Sequence, residues 1–391
     1  MPILLIWFFF RLLTSGFIAL ISSWQPMTDA EKAIPIIQPA MPISAWLERV
    51  LITPWSHWDA EWYLQIVENG YQATDGTAQF HPLYPGLASI LARIDIHPLL
   101  SLLLVSSLAG VLFLYLYHRI AQATLPASDL RMSMLLVLLA PAGFVLFAPY
   151  SEALFLLAAA ACLWLAGQKR WWLAGLAGSL ATITRQQGIV LVLPLAWAIW
   201  EAAGGAWRVL RNWWKKWLAI GLIPGAYLLW LIYRAIGLND LALQTTSLHE
   251  LIYSLLISPS AVEVVPAQTF TWPWRALWLA LRQFAAAPDL DLAFNFLLAA
   301  LFLIMLGASW KRMPAAHRWY VLAITLVSFS YYTGPIHPTM GLPRHLLLAF
   351  PVFIYAAPAL NKPILRPVLL TLLGVVYLLS IFLFYRQAWV P

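Results

Sequence analysis

The sequence predicts an all-α, multi-pass membrane protein, and three observations predict it. Of the 391 residues, 62% are hydrophobic and only 10% are charged, whereas soluble domains carry about a quarter charged residues. The apolar residues fall in runs of membrane-spanning length, broken by short charged segments. The charges between those runs alternate in sign along the chain. No soluble domain, internal repeat or low-complexity stretch interrupts the pattern, so residues 1–391 read as one transmembrane domain.

The first span is expected near 3–22. No small-x-small cleavage site precedes Trp24, so the run reads as an uncleaved span rather than a signal peptide. Arg11 in its middle is costly in lipid and is expected to face the bundle. Further spans are expected near 97–118, 131–148, 151–167, 171–183, 188–202, 216–236, 291–310, 318–333, 344–360 and 364–385, about eleven in all. The pair 171–183 and 188–202 is short for full crossings, and 83–94 reads as an extra short helix.

Between these runs, one side collects Arg119, Arg131, Lys169, Arg170, Arg208, Arg211, Lys215, Lys216, Lys311, Arg312, Arg318, Lys362 and Arg366, against only Asp129 and Glu201. The positive-inside rule makes that side cytoplasmic and the acidic loops extracytoplasmic. This placement accounts for the net charge of +7, so nucleic acid is not an expected partner. Two outer loops are long, 23–82 and 237–290, and loops of that length are usually functional or disordered. Their Trp-rich, amphipathic stretches 43–52, 57–68 and 273–286 read as interfacial helices. The lone Cys162 lies in an apolar run, so neither a disulfide framework nor a cysteine metal site is available.

Polar residues that structure alone does not explain sit at the outer ends of segments: His57, Asp59, Glu61, His81, Glu152, Arg185, Gln186, His337, Arg344 and His345. Asp59 falls in the first turn of the helix expected between Ser56 and the Asn69-Gly70 stop, sharing a face with Trp62, Tyr63 and Ile66. A carboxylate there either complements the helix dipole or acts as a base toward a lipid-borne substrate. Glu61 and Glu68 read as solvated surface acids. Arg185 in Thr184-Arg185-Gln186-Gln187-Gly188 and Arg344 in Pro343-Arg344-His345 are either snorkelling interfacial arginines or anion ligands. Glu152 begins a helix as a cap-region acid or a contact for a substrate hydroxyl, with Ser151 or Tyr150 as the cap. The spacing of His57, Asp59, Glu61 and His81 matches no standard metal site.

Five stretches together carry a family resemblance: Trp58-Asp59 followed by Gly70-Tyr71; Phe80-His81-Pro82-Leu83-Tyr84-Pro85; Tyr150-Ser151-Glu152-Ala153-Leu154-Phe155; Thr184 to Gly188; and Pro343-Arg344-His345 with Phe350-Pro351. In their order along the chain they resemble the GPI mannosyltransferase 2 (PIG-V) family of glycosyltransferases with the GT-C fold. The resemblance implies an inverting transfer of mannose from a polyprenyl-phosphate donor to a hydroxyl of a lipid-linked glycan, with no cofactor and no obligatory metal. Asp59 matches the family's acidic residue in the first outer loop and is the implied general base. Arg185, Arg344, His345 and His81 are the expected donor-phosphate ligands, and His57, Trp58, Glu152 and Gln186 the expected substrate contacts. The chain departs from the family's usual residues at His81, Gln187 and His345, and its length suits a prokaryotic member acting on another acceptor. A plasma-membrane location follows for a prokaryote, the endoplasmic reticulum for a eukaryote.

Other readings are a related enzyme using a different polyprenyl-linked sugar, a non-catalytic assembly subunit, and a lipid or solute transporter. A transporter predicts ionisable residues near the bilayer midplane and internal pseudo-symmetry. Here those residues gather at segment ends beside long loops, which favours an enzyme.

Overall fold

The computed structural model describes residues 3–24, 52–205, 214–239, 269–334 and 337–386. Among these residues the regular structure is helical apart from one antiparallel pair of two-residue strands. The helices are α1 (Ile3–Trp24), α2 (Asp59–Asn69), α3 (Leu83–Ala92), α4 (Pro98–Gln122), α5 (Ala127–Leu138), α6 (Glu152–Gly167), α7 (Trp171–Thr182), α8 (Val192–Ala202), α9 (Trp214–Ile232), α10 (Pro273–Ala286), α11 (Leu290–Trp310), α12 (Ala315–Phe329), α13 (Leu342–Leu347), α14 (Pro351–Leu360) and α15 (Leu365–Tyr385). Strands β1 (Thr269–Phe270) and β2 (Tyr331–Tyr332) pair antiparallel, placing Thr269 opposite Tyr332 and Phe270 opposite Tyr331. The interfacial helix expected at 43–52 lies outside the described residues, save Ile52.

Among the described residues, five helices are long and apolar enough to cross a membrane unaided: α1, α4, α9 with its π-turn to Gly237, α11 and α15. The other expected spans are shorter or broken. The run 131–148 is not one helix: α5 stops at Leu138, and a separate 3₁₀ turn follows at Gly143–Leu146. Pro141 has no N–H to continue the ladder. The run 344–360 divides into α13 and α14 at Pro351 for the same reason. The run 188–202 starts as a 3₁₀ turn, Gln186–Leu191, before α8. Hydropathy sees the apolar character of these stretches but not the breaks in their backbones.

The core forms where α6 packs between α4 and α7, with α9 against the far side of α7. Phe113, Phe144, Phe155 and Phe350 fill it without measurable exposure. Arg11 faces inward as expected. It donates to the Phe147 carbonyl and lies 5.2 Å from the Trp55 ring centroid. α6 and α7 form a hairpin that turns at Gln168–Arg170, with Lys169 at φ +61°. At about 1.5 Å per residue, that turn stands roughly 20 Å from Glu152 and Thr182 at the other end of the hairpin. The basic turn and the polar segment ends are thereby held apart.

Candidate active site

The polar ends meet in one cleft of about 230 Å³. Four segments build most of it: the first turns of α2, the Gln79–His81 approach to α3, the Thr184–Gln187 turn after α7, and α13. A backbone hydrogen bond from the Leu83 N–H to the Ile183 carbonyl (2.9 Å) joins the second segment to the third.

Asp59 is the first residue of α2. Trp58, not Ser56, occupies the capping position, at φ +59° and with no side-chain cap. A bulky residue in the left-handed region is strained, and this strain sits one residue before the carboxylate. Gly70, at φ +79°, stops the helix as expected, its N–H bonding to the Ile66 carbonyl.

Asp59 Oδ2 accepts a hydrogen bond from Arg344 Nη1 at 2.5 Å. The same guanidinium lies 3.7 Å from Glu152 Oε1, and its Cζ stands 5.5 Å from the Tyr150 ring centroid. Glu152 Oε1 accepts from Arg185 Nη1 at 2.7 Å. Arg185 Nη1 also donates to Ser151 Oγ at 2.9 Å, and that oxygen accepts from Tyr63 Oη at 2.7 Å. The result is a chain of alternating charge: Asp59, Arg344, Glu152, Arg185. Side-chain exposure separates the two carboxylates, at 21% for Asp59 and 0% for Glu152. Asp59 can therefore reach a substrate, while Glu152 holds the two arginines. Arg185 Nε, Arg344 Nε, Glu152 Oε2 and His345 Nδ1 are buried with no hydrogen-bond partner among the described residues. Such atoms are costly unless something fills the site.

The expected residues divide. Asp59, His81, Arg185, Gln186, Arg344 and His345 line the cleft. His57, Trp58 and Glu152, expected to touch substrate, do not. His57 is buried against Phe384, with ring centroids 5.9 Å apart, and its carbonyl accepts from Tyr150 Oη at 3.2 Å. Ser151 stands at the capping position of α6 as expected, but its hydroxyl serves Arg185 and Tyr63 instead of the helix end. His337 does not line the cleft: its ring pairs with Asp291 at 3.2 Å, while its carbonyl accepts from the lining residue Thr333. Sequence reasoning missed Tyr331, Thr333 and Met340, which close the cleft on the side of β2. Tyr331 Oη donates to Gln186 Oε1 at 3.4 Å. A tyrosine pair at the end of a span looks like any interfacial aromatic belt, so no local signal marks it. Trp62 stacks on Phe80 (5.9 Å, 22°), presenting an aromatic wall to the cleft.

Gly188 fixes the Arg185 turn. A Cβ there would lie 2.3 Å from the Thr182 nitrogen and 2.5 Å from the Ala181 carbonyl carbon. Both contacts are backbone, and no rotamer relieves them. Gly188→Ala is expected to cost at least the ~1–3 kcal/mol of ordinary overpacking and to displace Arg185. A lowered thermal midpoint in detergent would report this; an unchanged one would contradict the close approach.

Burial lowers the imidazoles of His57 to about 4 and of His81 to about 3, from an ordinary 6.5. His81 also stacks on Tyr227, 5.7 Å away. Both rings are neutral in the folded state, while in the unfolded chain they take protons below about pH 6.5. Stability from neutral His81 is thus complete above pH 6.5 and is lost as the pH falls, by about 1.4 kcal/mol at one unit below the unfolded value. Glu61, which burial pushes up to about 7, acts in the opposite sense, so a variant must isolate the histidine. The thermal midpoint of the unaltered protein is expected to drop further between pH 7.5 and 5.5 than that of His81→Phe.

Among the described residues, no three His, Cys, Asp or Glu side chains converge as a metal-binding set. A protein-family model described as Mannosyltransferase (PIG-V) matches residues 2–232, which include Asp59, His81, Glu152 and Arg185. No curated protein and no solved structure shows significant similarity to the chain.

Proposed function

The chain belongs to the mannosyltransferase (PIG-V) family, and from that premise we propose that it moves mannose from a polyprenyl-phosphate carrier to a hydroxyl of a lipid-linked glycan or glycolipid. In this reading the reaction takes place at the extracytoplasmic surface of a multi-pass membrane protein. The observation that carries the proposal is the Asp59–Arg344 pair: a carboxylate that reaches the cleft, held by an arginine whose own Nε is buried without a partner.

The acceptor oxygen attacks the anomeric carbon from the face opposite the phosphate, forming a C–O bond as the sugar–phosphate C–O bond breaks. The configuration inverts. The bonding pair leaves on the phosphate oxygen, and Asp59 takes the hydroxyl proton. General-base assistance of this kind contributes about 10²–10⁴-fold. Arg344 and Arg185, with His345 and His81 beside them, face the charge that grows on the phosphate, the kind of preorganised stabilisation that contributes most when water is excluded. Two guanidinium groups can carry that charge, so the reaction is proposed to need no metal. Without donor, Arg344 occupies the carboxylate oxygen that would accept the proton. An arriving phosphate competes for Arg344 and frees Asp59, so the base becomes available only when a leaving group is in place.

Purified protein in detergent, given radiolabelled polyprenyl-phosphate mannose, EDTA and a crude lipid extract, is expected to yield a labelled glycolipid. Transfer from a different polyprenyl-linked sugar but not from mannose would overturn the sugar assignment. Transfer restored only by added divalent cation would overturn the metal-independent mechanism.

A further inference from the structure

We propose that the apolar cavity beneath α10 holds the prenyl chain of the donor's phosphate carrier. The proposal rests on the carrier chemistry of the preceding reading. The cavity, about 370 Å³, is lined by Leu277 and Leu281 of α10, Phe296 and Ala300 of α11, Phe329 of α12 and Leu342 of α13. Its rim is open to the apolar surroundings: Leu277, Leu281 and Leu303 are 42%, 45% and 46% exposed. Two residues, Tyr331 and Met340, line both this cavity and the polar cleft. The wall between charge and hydrocarbon is therefore one side chain thick. Along α13 the change is equally abrupt, with Leu342 in the apolar cavity and Arg344 and His345 in the cleft.

That adjacency selects the occupant. In a prenyl phosphate the chain is esterified directly to the phosphate, so the apolar site must begin where the phosphate ligands end. In a glycolipid acceptor at least one sugar separates the reacting hydroxyl from the lipid, so its chain has no need of a cavity touching the arginines. A second apolar cavity of about 350 Å³, on the other side of α13, is lined by Pro343, Leu346 and Leu347 with Leu301 of α11. It shares no lining residue with the cleft.

Neighbouring residues of α11 separate the two cavities: Ala300 lines the first and Leu301 the second. Both are exposed, so an indole at either position can be accommodated without breaking the core. Binding of undecaprenyl phosphate, a ten-carbon prenyl phosphate and inorganic phosphate would be measured on full-length protein in detergent. Ala300→Trp is expected to weaken undecaprenyl phosphate about tenfold while leaving the short chain within about twofold, and Leu301→Trp to change neither. Leu277→Gln, which keeps the volume but makes the wall polar, is expected to act in the same direction as Ala300→Trp and covers the case in which that variant misfolds. Weakening by Leu301→Trp alone would place the chain in the second cavity and overturn the proposal, as would full-strength binding by all three variants. Absence of polyprenyl-phosphate binding by the unaltered protein would remove both the subsite and the carrier reading. Ala300-dependent binding without mannose transfer would leave the subsite standing and overturn the transferase reading alone.

Discussion

Replacing Asp59 with asparagine is expected to reduce mannosyl transfer by three orders of magnitude or more while leaving a folded protein that still binds donor. The amide is nearly isosteric and keeps an oxygen to accept from Arg344, but it cannot hold the acceptor's proton. Two losses coincide: the general base is absent, and Arg344 is no longer opposed by a full charge. The structural cost is modest because Asp59 is partly exposed and Arg344 keeps Glu152 at 3.7 Å. Single-turnover transfer, with donor binding measured in parallel, separates the effects. Residual activity above a few per cent would sink the assignment of Asp59 as base. Asp59→Glu serves as the companion: it keeps the charge but moves it by a methylene, and it is expected to lose about a hundredfold, since a misplacement of roughly 1 Å costs on that order.

The second large effect is expected at Glu152, and it falls on folding. This carboxylate is fully buried and lies 2.7 Å from one arginine and 3.7 Å from another. Removing one partner of a buried ion pair typically costs about 3–5 kcal/mol, because the remaining charge has lost its compensation. Glu152→Gln leaves Arg185 with no carboxylate partner among the described residues and Arg344 with Asp59 alone. A whole domain's stability is about 5–15 kcal/mol, so this variant should appear as aggregated protein or as a sharply lowered midpoint in detergent. Removing the opposing charge as well, in Glu152→Gln with Arg185→Gln, is expected to restore much of the stability and none of the transfer. A stable, active Glu152→Gln would show that the buried carboxylate does not hold the arginines.

How much of this was legible in the sequence follows from what each signal measures. Apolar runs predicted α1, α4, α9, α11 and α15 closely, because each is long and continuous, with every charge but Arg11 near a helix end. The same signal merged α5 with the turn after it and α13 with α14, since Pro141 and Pro351 break the backbone without lowering the local hydrophobicity. Of the residues that line the cleft, unexplained polarity at segment ends singled out Asp59, His81, Arg185, Gln186, Arg344 and His345. It could not show that Arg344 pairs with a carboxylate 285 positions away, because no periodicity links α13 to α2. For the same reason it left Glu152 undecided between cap and substrate contact: its contacts with two distant guanidinium groups are visible only in the folded chain. Tyr331 and Met340 carry no charge and sit where aromatic and apolar residues are ordinary, so only the folded chain reveals them.

The alternation of Asp59, Arg344, Glu152 and Arg185 has a consequence for turnover. The formal charges of these four side chains sum to zero, so the quartet brings no excess positive charge to retain a phosphate ester once the sugar has left. In the proposed mechanism, as the proton leaves Asp59 for solvent, the restored carboxylate competes again for Arg344 and displaces the product phosphate from it. On that mechanism the ion pair that holds the resting site also drives product release: the contact between Asp59 and Arg344 is what re-forms as phosphate departs.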